Sequence, residues 1–282
     1  MIIRNMKKLL IILSISLSFP MFLRAQNFVF SDYYDSIARP NLQVLYQMTY
    51  HEDSTQMERY DEEMSVLLLG NKISAFQSYG SFRLTQLQRK RSEEGSWNDW
   101  YLSELSDFTT RFMYTIYKNF PKGKITVTDH GFLTGNFLYE EDMDSMDWNL
   151  MDDTLRIEDY LCQKAVCRFG GRVWTAWYTD ELPFSDGPYK FHGLPGLILK
   201  VTDATGSYCY EFVSIEVPDP KGNIVWNLND YTKTTKKGFF HVEDECRENI
   251  ISHFDEHTSI EAQRKAFGVM QSRNNPIELE RK

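Results

Sequence analysis

The feature that most constrains the fold of this chain is an alternation of apolar and polar residues with a period of two, interrupted by turn residues. It is clearest in the runs 162–169 and 172–179, which flank Gly170-Gly171. A hairpin closed at these two glycines predicts four cross-strand pairs: Phe169 with Arg172, Cys167 with Trp174, Ala165 with Ala176, and Lys164 with Trp177. Because successive strand residues point to opposite faces, Trp174 and Tyr178 should share one face and Trp177 the other.

Other runs repeat this pattern along the chain. Residues 42–50 alternate as a half-buried first strand, and three further pairs of runs flank turn residues: 64–69 with 73–76 around Gly70-Asn71, 112–117 with 124–128, and 197–202 with 208–217. Consecutive hairpins favour a meander, so we expect a mainly β fold built on a large, curved, half-open antiparallel sheet. By analogy, this resembles the sheets of periplasmic lipoprotein-carrier proteins, although a fold does not determine a function.

Helical signals concentrate near the end of the chain. Val242, Cys246, Ile250 and Phe254 repeat every four residues, which predicts an amphipathic helix over 242–256. A capping box at 258–261 opens a second helix, which Gly268 is expected to end. We therefore expect a short C-terminal helical segment. The stretches 89–98 and 140–153 are interpreted as loops or hairpin tips.

The first 25 residues have the pattern of a signal peptide. Basic residues are followed by an apolar run at 9–22 and by Ala25, which predicts cleavage before Gln26. An uncleaved anchor helix is the alternative, but the run is short and Pro20 interrupts it. We expect a periplasmic or secreted protein without a transmembrane segment after cleavage. Residues 26–282 should form a single β-rich domain, with a split near residue 145 as the alternative.

Charge and composition narrow the possible partners. The chain carries a net charge of −9, and removal of residues 1–25 would leave 27 Lys and Arg against 40 Asp and Glu, a net charge of −13. Nucleic acid is not expected as a partner, because polyanions require neutralisation by Lys and Arg. With 42% hydrophobic and 15% aromatic residues, the chain can bury a substantial core.

Four cysteines, at positions 162, 167, 209 and 246, allow three disulfide connectivities in an exported protein. In a regular strand Cys162 and Cys167 point to opposite faces, so they should not bond to each other. The sequence contains no CxxC motif, which argues against a zinc ribbon and against a thioredoxin-like redox site.

Two groups of residues have the composition of a catalytic centre. The string 253–257 matches the pattern H-x-x-E-H, in which two histidines of a helix bind zinc and the glutamate activates water; His241 and nearby acids offer further ligands. Asp180, Glu181 and Asp186 lie near His192 and offer acid–base groups. The first group also fits a solvated helix face, and the second also fits turn chemistry. We therefore assign no catalytic residue, metal site or cofactor. A small periplasmic hydrolase or metal-dependent enzyme is the alternative function.

The hexapeptide 193–198 carries the most distinctive local signal: Gly193, Leu194, Pro195, Gly196, Leu197 and Ile198. Pro195 and Gly196 suit the central positions of a type II turn that aims the following strand. Together with the stretches 160–165, 171–172, 176–178 and 275–279, the hexapeptide resembles the GLPGLI family, secreted proteins of Gram-negative bacteria. The resemblance covers the second half of the chain. It implies export and assigns no molecular activity.

Aromatic residues cluster around the hexapeptide. We predict that some line a binding surface, together with two basic residues; the candidates are Trp177, Tyr178, Tyr189, Phe191, Arg172 and Lys190. The sequence thus favours a non-enzymatic protein that binds a small apolar or peptide ligand, or an envelope partner such as an outer-membrane transporter.

Overall fold

The computed structural model describes residues 33–94, 110–131, 135–144, 146–219, 222–228, 230–254 and 258–280. The signal peptide predicted over 1–25 lies outside these residues. The described part of the chain is mainly β, with fourteen strands. In chain order they are β1 Tyr34–Ala38, β2 Pro40–Tyr50, β3 Asp61–Gly70, β4 Ser74–Ser78, β5 Tyr114–Lys118, β6 Lys124–Gly131, β7 Gly135–Asp142, β8 Asn149–Ile157, β9 Tyr160–Phe169, β10 Arg172–Thr179, β11 Leu197–Asp203, β12 Tyr208–Glu216, β13 Ile224–Asn227 and β14 Thr232–Thr234.

The same described residues contain three α-helices, α1 Tyr79–Glu94, α2 Lys236–Glu248 and α3 Ile260–Ser272, and a 3₁₀ turn at Ile250–His253. Twelve strands form one open sheet in the order β14-β7-β6-β5-β4-β3-β2-β12-β11-β10-β9-β8, while β1 and β13 pair separately. Neighbours within the large sheet are antiparallel except β14 and β7. The sheet thus consists of two meanders joined where β2 pairs with β12.

The connection between β7 and β8 requires this sheet to curl. In the sheet these strands are ten positions apart, a distance of roughly 48 Å if the sheet were flat. Only residues 143–148 connect them, and such a segment reaches at most about 25 Å. The two edges therefore approach each other, which confirms the expected curved, half-open sheet.

Apolar side chains pack on both faces of the sheet. The inner face holds the larger core, to which β2 contributes Tyr46 and Met48 and β10 contributes Trp174. On the outer face a smaller core, including Leu45 and Val66, lies beneath α1 and the β1–β13 pair. Both faces are thus covered over much of the sheet.

The hairpin prediction at Gly170-Gly171 is confirmed residue by residue, since all four predicted pairs occur in the register of β9 and β10. The three other predicted hairpins also form. The turn predicted at Gly70-Asn71 is displaced by one residue. The Gly70 amide donates to the Ile73 carbonyl over 3.0 Å, so Gly70 ends β3 and Asn71-Lys72 make the turn.

The predictions of loops at 89–98 and 140–153 are partly wrong. Residues 89–94 complete α1, and residues 95–98 lie outside the described part. Residues 140–142 end β7 and residues 149–153 begin β8, so only the middle of the second stretch is a connection. The acidic residues there, at 140–142 and 152–153, are consecutive and lie at half-buried or exposed strand positions, a pattern that composition alone does not distinguish from a loop.

The late helices exist but begin and end elsewhere than expected. α2 starts at Lys236 because the Thr235 hydroxyl accepts a hydrogen bond from the Gly238 amide, and it buries Phe239 and Phe240. Of the predicted four-residue stripe, Ile250 alone is buried, and it lies in the 3₁₀ turn that follows α2. α3 is capped by Ser259 and continues through Gly268 to Ser272. All four cysteines are free thiols.

Candidate functional site

Residues 180–196, which we call the inner loop, connect β10 to β11 and pack on the inner face of the sheet. The hexapeptide 193–198 contains the end of this loop and the start of β11. The Gly196 amide donates to the Leu194 carbonyl over 2.8 Å, a bend tighter than the expected type II turn. Glycine is needed at 196 because a Cβ there would lie 2.0 Å from the carbonyl oxygen of Thr179. Leu194, Leu197 and Ile198 are buried. Gly193 has a positive φ, which favours glycine. The hexapeptide therefore stabilises the fold through its turn and its buried side chains.

Most of the aromatic residues predicted to line a binding surface lie in the inner core. Tyr178, Tyr189 and Phe191 are buried, and the Phe191 ring packs edge to face on Trp174 with centroids 4.8 Å apart. Trp177 alternates with the buried residues of β10, is half-buried, and packs only in part against this core, and the Lys164 ammonium lies 5.9 Å from its ring centroid. Of the four aromatic candidates, Trp177 is therefore the one that stays partly accessible.

Arg172 is buried and holds residues 274–280, the anchor segment, against the sheet. Its guanidinium donates to Asp203 (3.0 Å), to the Asn275 side chain (2.6 Å), and to the carbonyls of Pro276 (2.7 Å) and Ile277 (3.1 Å). All these partners belong to the chain itself, so the guanidinium is used to fix this segment.

Lys190 is buried in a cluster of two lysines and two glutamates. Its ammonium donates to Glu278 over 2.7 Å and pairs with Glu141, while Lys236 pairs with Glu141 (3.0 Å) and with Glu278. Burial acts to raise the pKa of Glu278, but the two ammonium groups outweigh it and lower the pKa to about 2. The Tyr189 hydroxyl also donates to Glu278. The cluster fastens the anchor segment to β7 and α2.

Of the acid–base candidates, Asp186 and His192 are occupied by structural contacts, whereas Asp180 and Glu181 are exposed and Glu181 accepts a hydrogen bond from the Leu161 amide. The Lys118 ammonium lies 2.5 Å from Asp186, whose other oxygen accepts from Ser74. The two ring nitrogens of His192 lie 2.8 and 3.0 Å from the carbonyl oxygens of Lys190 and Asp144. Buried His192 thus tethers the connection between β7 and β8 to the inner loop.

The candidate zinc motif at 253–257 lies largely outside the described residues, which include only the backbone of His253 and Phe254 from this string. His241 is exposed on α2 and lies 3.7 Å from Glu245. Across the described ranges, no three His, Cys, Asp or Glu side chains come close enough together to hold a metal ion.

An open cavity of about 340 Å³ lies on the outer face, at the β14 edge of the sheet. We call it the aromatic cleft. Its lining residues are Phe120, Pro121, Thr126, Leu138, Glu140, Trp226, Tyr231 and Lys233. The sheet explains how they meet: Thr126 pairs with Glu140 across β6 and β7, and Lys233 pairs with Leu138 across β14 and β7. The volume lies near the lower end of the range for ligand pockets, roughly 300–1,000 Å³.

Trp226 is the centre of the aromatic wall of this cleft. Its ring centroid lies 5.1 Å from that of Tyr117, 5.5 Å from that of Phe120 and 6.0 Å from that of Tyr231. The Tyr231 hydroxyl lies 3.1 Å from Nε2 of His130, which fixes the tyrosine ring at the rim. The polar side is an ion pair, in which the Lys233 ammonium lies 3.3 Å from Glu140.

Sequence reasoning missed the aromatic cleft. The run Ile224-Val225-Trp226 and the nearby Tyr231 carry an aromatic signal, but Phe120 is more than a hundred residues away. They meet because β13 leaves the large sheet to pair with β1 and because β14 returns parallel to β7. Neither pairing follows from a local alternation pattern.

A second polar feature lies on the inner face. Asp129 on β6 pairs with Tyr114 on β5 and with Phe137 on β7. Burial, with a smaller contribution from Glu243, raises the pKa of Asp129 to about 7. This carboxyl group is therefore only partly ionised near neutral pH.

Comparisons with known proteins give one family match and several similar solved structures. Residues 171–200, which contain β10, the inner loop and the hexapeptide, match a family described as a protein of unknown function (Porph_ging). No curated protein matches the chain significantly. Two solved structures of PNGF-II, in space groups P21 and C2, are similar to it, with TM-scores of 0.47 and 0.48 and identities of 13% and 11%.

The PNGF-II structures match 72% and 71% of this chain, which spans only about a third of their length, 33% and 32%. Within the described residues, no helix combines the length and the apolar character needed to cross a membrane.

Proposed function

We propose that the chain is a non-enzymatic periplasmic or secreted protein, exported by residues 1–25, that binds a small ligand in the aromatic cleft. The observation that supports this proposal is an open cavity of about 340 Å³ with an aromatic wall and a single ion pair. Ligand sites typically combine a mostly apolar lining with a few polar groups that orient the ligand.

Family and partners belong to the same proposal. We place the chain in the GLPGLI family, because the hexapeptide 193–198 lies within the stretch that matches the family of unknown function. An envelope protein such as an outer-membrane transporter would be the partner that delivers or receives the ligand. The half-exposed surface around Trp177 and Lys164 is the part of the predicted aromatic set that remains accessible for such a partner.

The aromatic cleft is tested by filling it. Leu138→Trp places an indole in the cavity, whereas Val213→Trp adds the same side chain at an exposed position of β12, which lies six positions from β7 in the middle of the sheet. Native mass spectrometry of protein from the envelope fraction should show a bound small molecule in the natural protein and in Val213→Trp, and none in Leu138→Trp. A ligand-free natural protein, or a ligand kept by Leu138→Trp, would refute the proposal.

A further inference from the structure

The aromatic cleft has the composition of a site for a positively charged ligand. Aromatic rings carry partial negative charge on their faces and attract cations placed within about 6 Å of the ring centroid. Phe120, Trp226 and Tyr231 line one cavity, with the Trp226 centroid within 6.0 Å of both others. A cation bound there would contact more than one ring.

A carboxylate completes this arrangement. Glu140 lies in the same cavity, and its side chain is 27% exposed. Its partner Lys233 is 69% exposed and approaches only to 3.3 Å, the geometry of a weak surface ion pair. The Lys233 ammonium can therefore move into water and leave the carboxylate to a cation from solution.

The overall charge of the chain favours a cation over an anion as the ligand. The chain carries a net charge of −9. Such an excess of negative charge raises the concentration of cations near the protein and lowers that of anions.

We propose that the aromatic cleft binds a small organic cation of the substituted-ammonium class, in which the rings contact the alkyl groups and Glu140 neutralises the charge. This inference rests on the proposed function and specifies its ligand class. The Lys233 ammonium pairs with Glu140, so it competes with the ligand for this carboxylate.

Isothermal titration calorimetry with matched probes tests the ligand class. Choline carries the charge, 3,3-dimethyl-1-butanol is its neutral isostere of the same shape, and benzoate is a ring-bearing anion. We expect choline to bind about tenfold more tightly than the neutral isostere, and benzoate not to bind. Choline binding should weaken as salt is added, because the attraction to Glu140 is screened.

Two substitutions at exposed or half-exposed positions separate the roles of the charges without touching the core. Glu140→Gln should weaken choline binding about fivefold or more, since it removes the counter-charge. Lys233→Ala should strengthen it about two- to fivefold, since it removes the competing ammonium. Thermal melts of both variants, which we expect to match the natural protein, exclude unfolding as the cause.

The outcomes distinguish the ligand class from the cleft itself. Equal binding of choline and its neutral isostere, or benzoate binding that is lost in Lys233→Ala, would overturn the cationic assignment while the cleft remained a binding site. Absence of binding both to free choline and to phosphatidylcholine vesicles would also overturn it, and the filling variant Leu138→Trp would still test the proposed function independently. Binding to phosphatidylcholine vesicles without binding to free choline would identify the source as a lipid headgroup rather than a soluble cation.

Discussion

At the scale of single residues, the distance to the neighbouring backbone decides whether a glycine can be replaced by a larger residue. A Cβ on Gly196 would meet the Thr179 carbonyl oxygen at 2.0 Å, and this oxygen belongs to β10 and cannot move without breaking the sheet. Gly268, inside α3, has no atom within 4 Å of the position of a Cβ. The two glycines therefore respond oppositely to the same change.

We predict that Gly196→Ala lowers the free energy of unfolding by about 2–4 kcal/mol, because the methyl group forces the hexapeptide away from β10. Gly268→Ala is the matched control and should raise it by about 0.5–1 kcal/mol through helix propensity. Urea melts of the two variants measure both effects. Unchanged stability of Gly196→Ala would show that the hexapeptide does not contact β10 as described.

Asp129 predicts a specific dependence of stability on pH. Folding raises the pKa of Asp129 from an ordinary value of 3.8 to about 7. The protonated carboxyl group therefore costs no stability below pH 3.8, and the free energy of unfolding falls as pH rises from 3.8 through about 7. Asp129→Asn should therefore stabilise the protein by about 1–3 kcal/mol at pH 8 and much less at pH 5. Urea melts at both pH values measure this, with Asp152→Asn on the exposed strand β8 as the control. An equal effect of Asp129→Asn at both pH values would contradict the prediction.

At the scale of elements, side-chain contacts from the sheet and from α2 hold the anchor segment 274–280. Arg172 bonds to three successive residues of this segment, and the Gly170 carbonyl accepts from the amides of Leu279 and Glu280. The preceding helix α3 buries no side chain. The stability of this end of the described chain therefore depends on the segment rather than on the helix.

Arg172→Ala should destabilise the protein by about 3–5 kcal/mol, since it leaves the buried Asp203 without its counter-charge and frees the anchor segment. Arg168→Ala, on an exposed position of the same hairpin, should change stability by less than about 0.5 kcal/mol. Denaturant melts give these values, and hydrogen exchange should show faster exchange at 275–280 in Arg172→Ala. Similar values for the two variants would mean that the guanidinium contacts contribute little.

The elements that sequence predicts well are those with local pairing. The register of β9 and β10 follows from two glycines and an alternation pattern, so all four predicted pairs are found. Helix α1 was missed because polar residues dominate its sequence and none of its side chains is buried; Tyr79 and Phe82 pack against the outer core but give only a weak apolar stripe. The start of α2 was missed because Thr235 and the adjacent pair Phe239-Phe240 determine it, not a four-residue repeat.

At the scale of the whole molecule, curling of the sheet decides which residues are accessible. The inner loop places Tyr189 and Phe191 on the concave side of the sheet. These aromatic side chains, which the sequence suggests for a binding surface, are therefore part of the core. The aromatic cleft instead joins distant parts of the chain on the outer face. Sequence patterns specify strands and faces, but they do not specify which edge a strand such as β14 joins, and the site depends on that choice.

Long-range contacts also argue that the two halves of the sheet unfold together. β2, from the first half, pairs along its length with β12, from the second, and the Tyr46 hydroxyl donates to the Ile198 carbonyl over 2.8 Å. Lys118 on β5 pairs with Asp186 on the inner loop. A division near residue 145 would therefore cut through one core and leave Lys118 buried without its partner.

We accordingly predict a single cooperative transition for residues 26–282. Far-ultraviolet circular dichroism, which reports the sheet, and near-ultraviolet circular dichroism, which reports the packed aromatic core, should give the same midpoint in urea. Lys118→Met, which removes the charge that joins the two meanders, should lower that midpoint for both signals equally, because Asp186 loses its counter-charge while the apolar chain still fills the space. Two separated midpoints, or a shift in one signal alone, would show instead that the meanders form independent folding units.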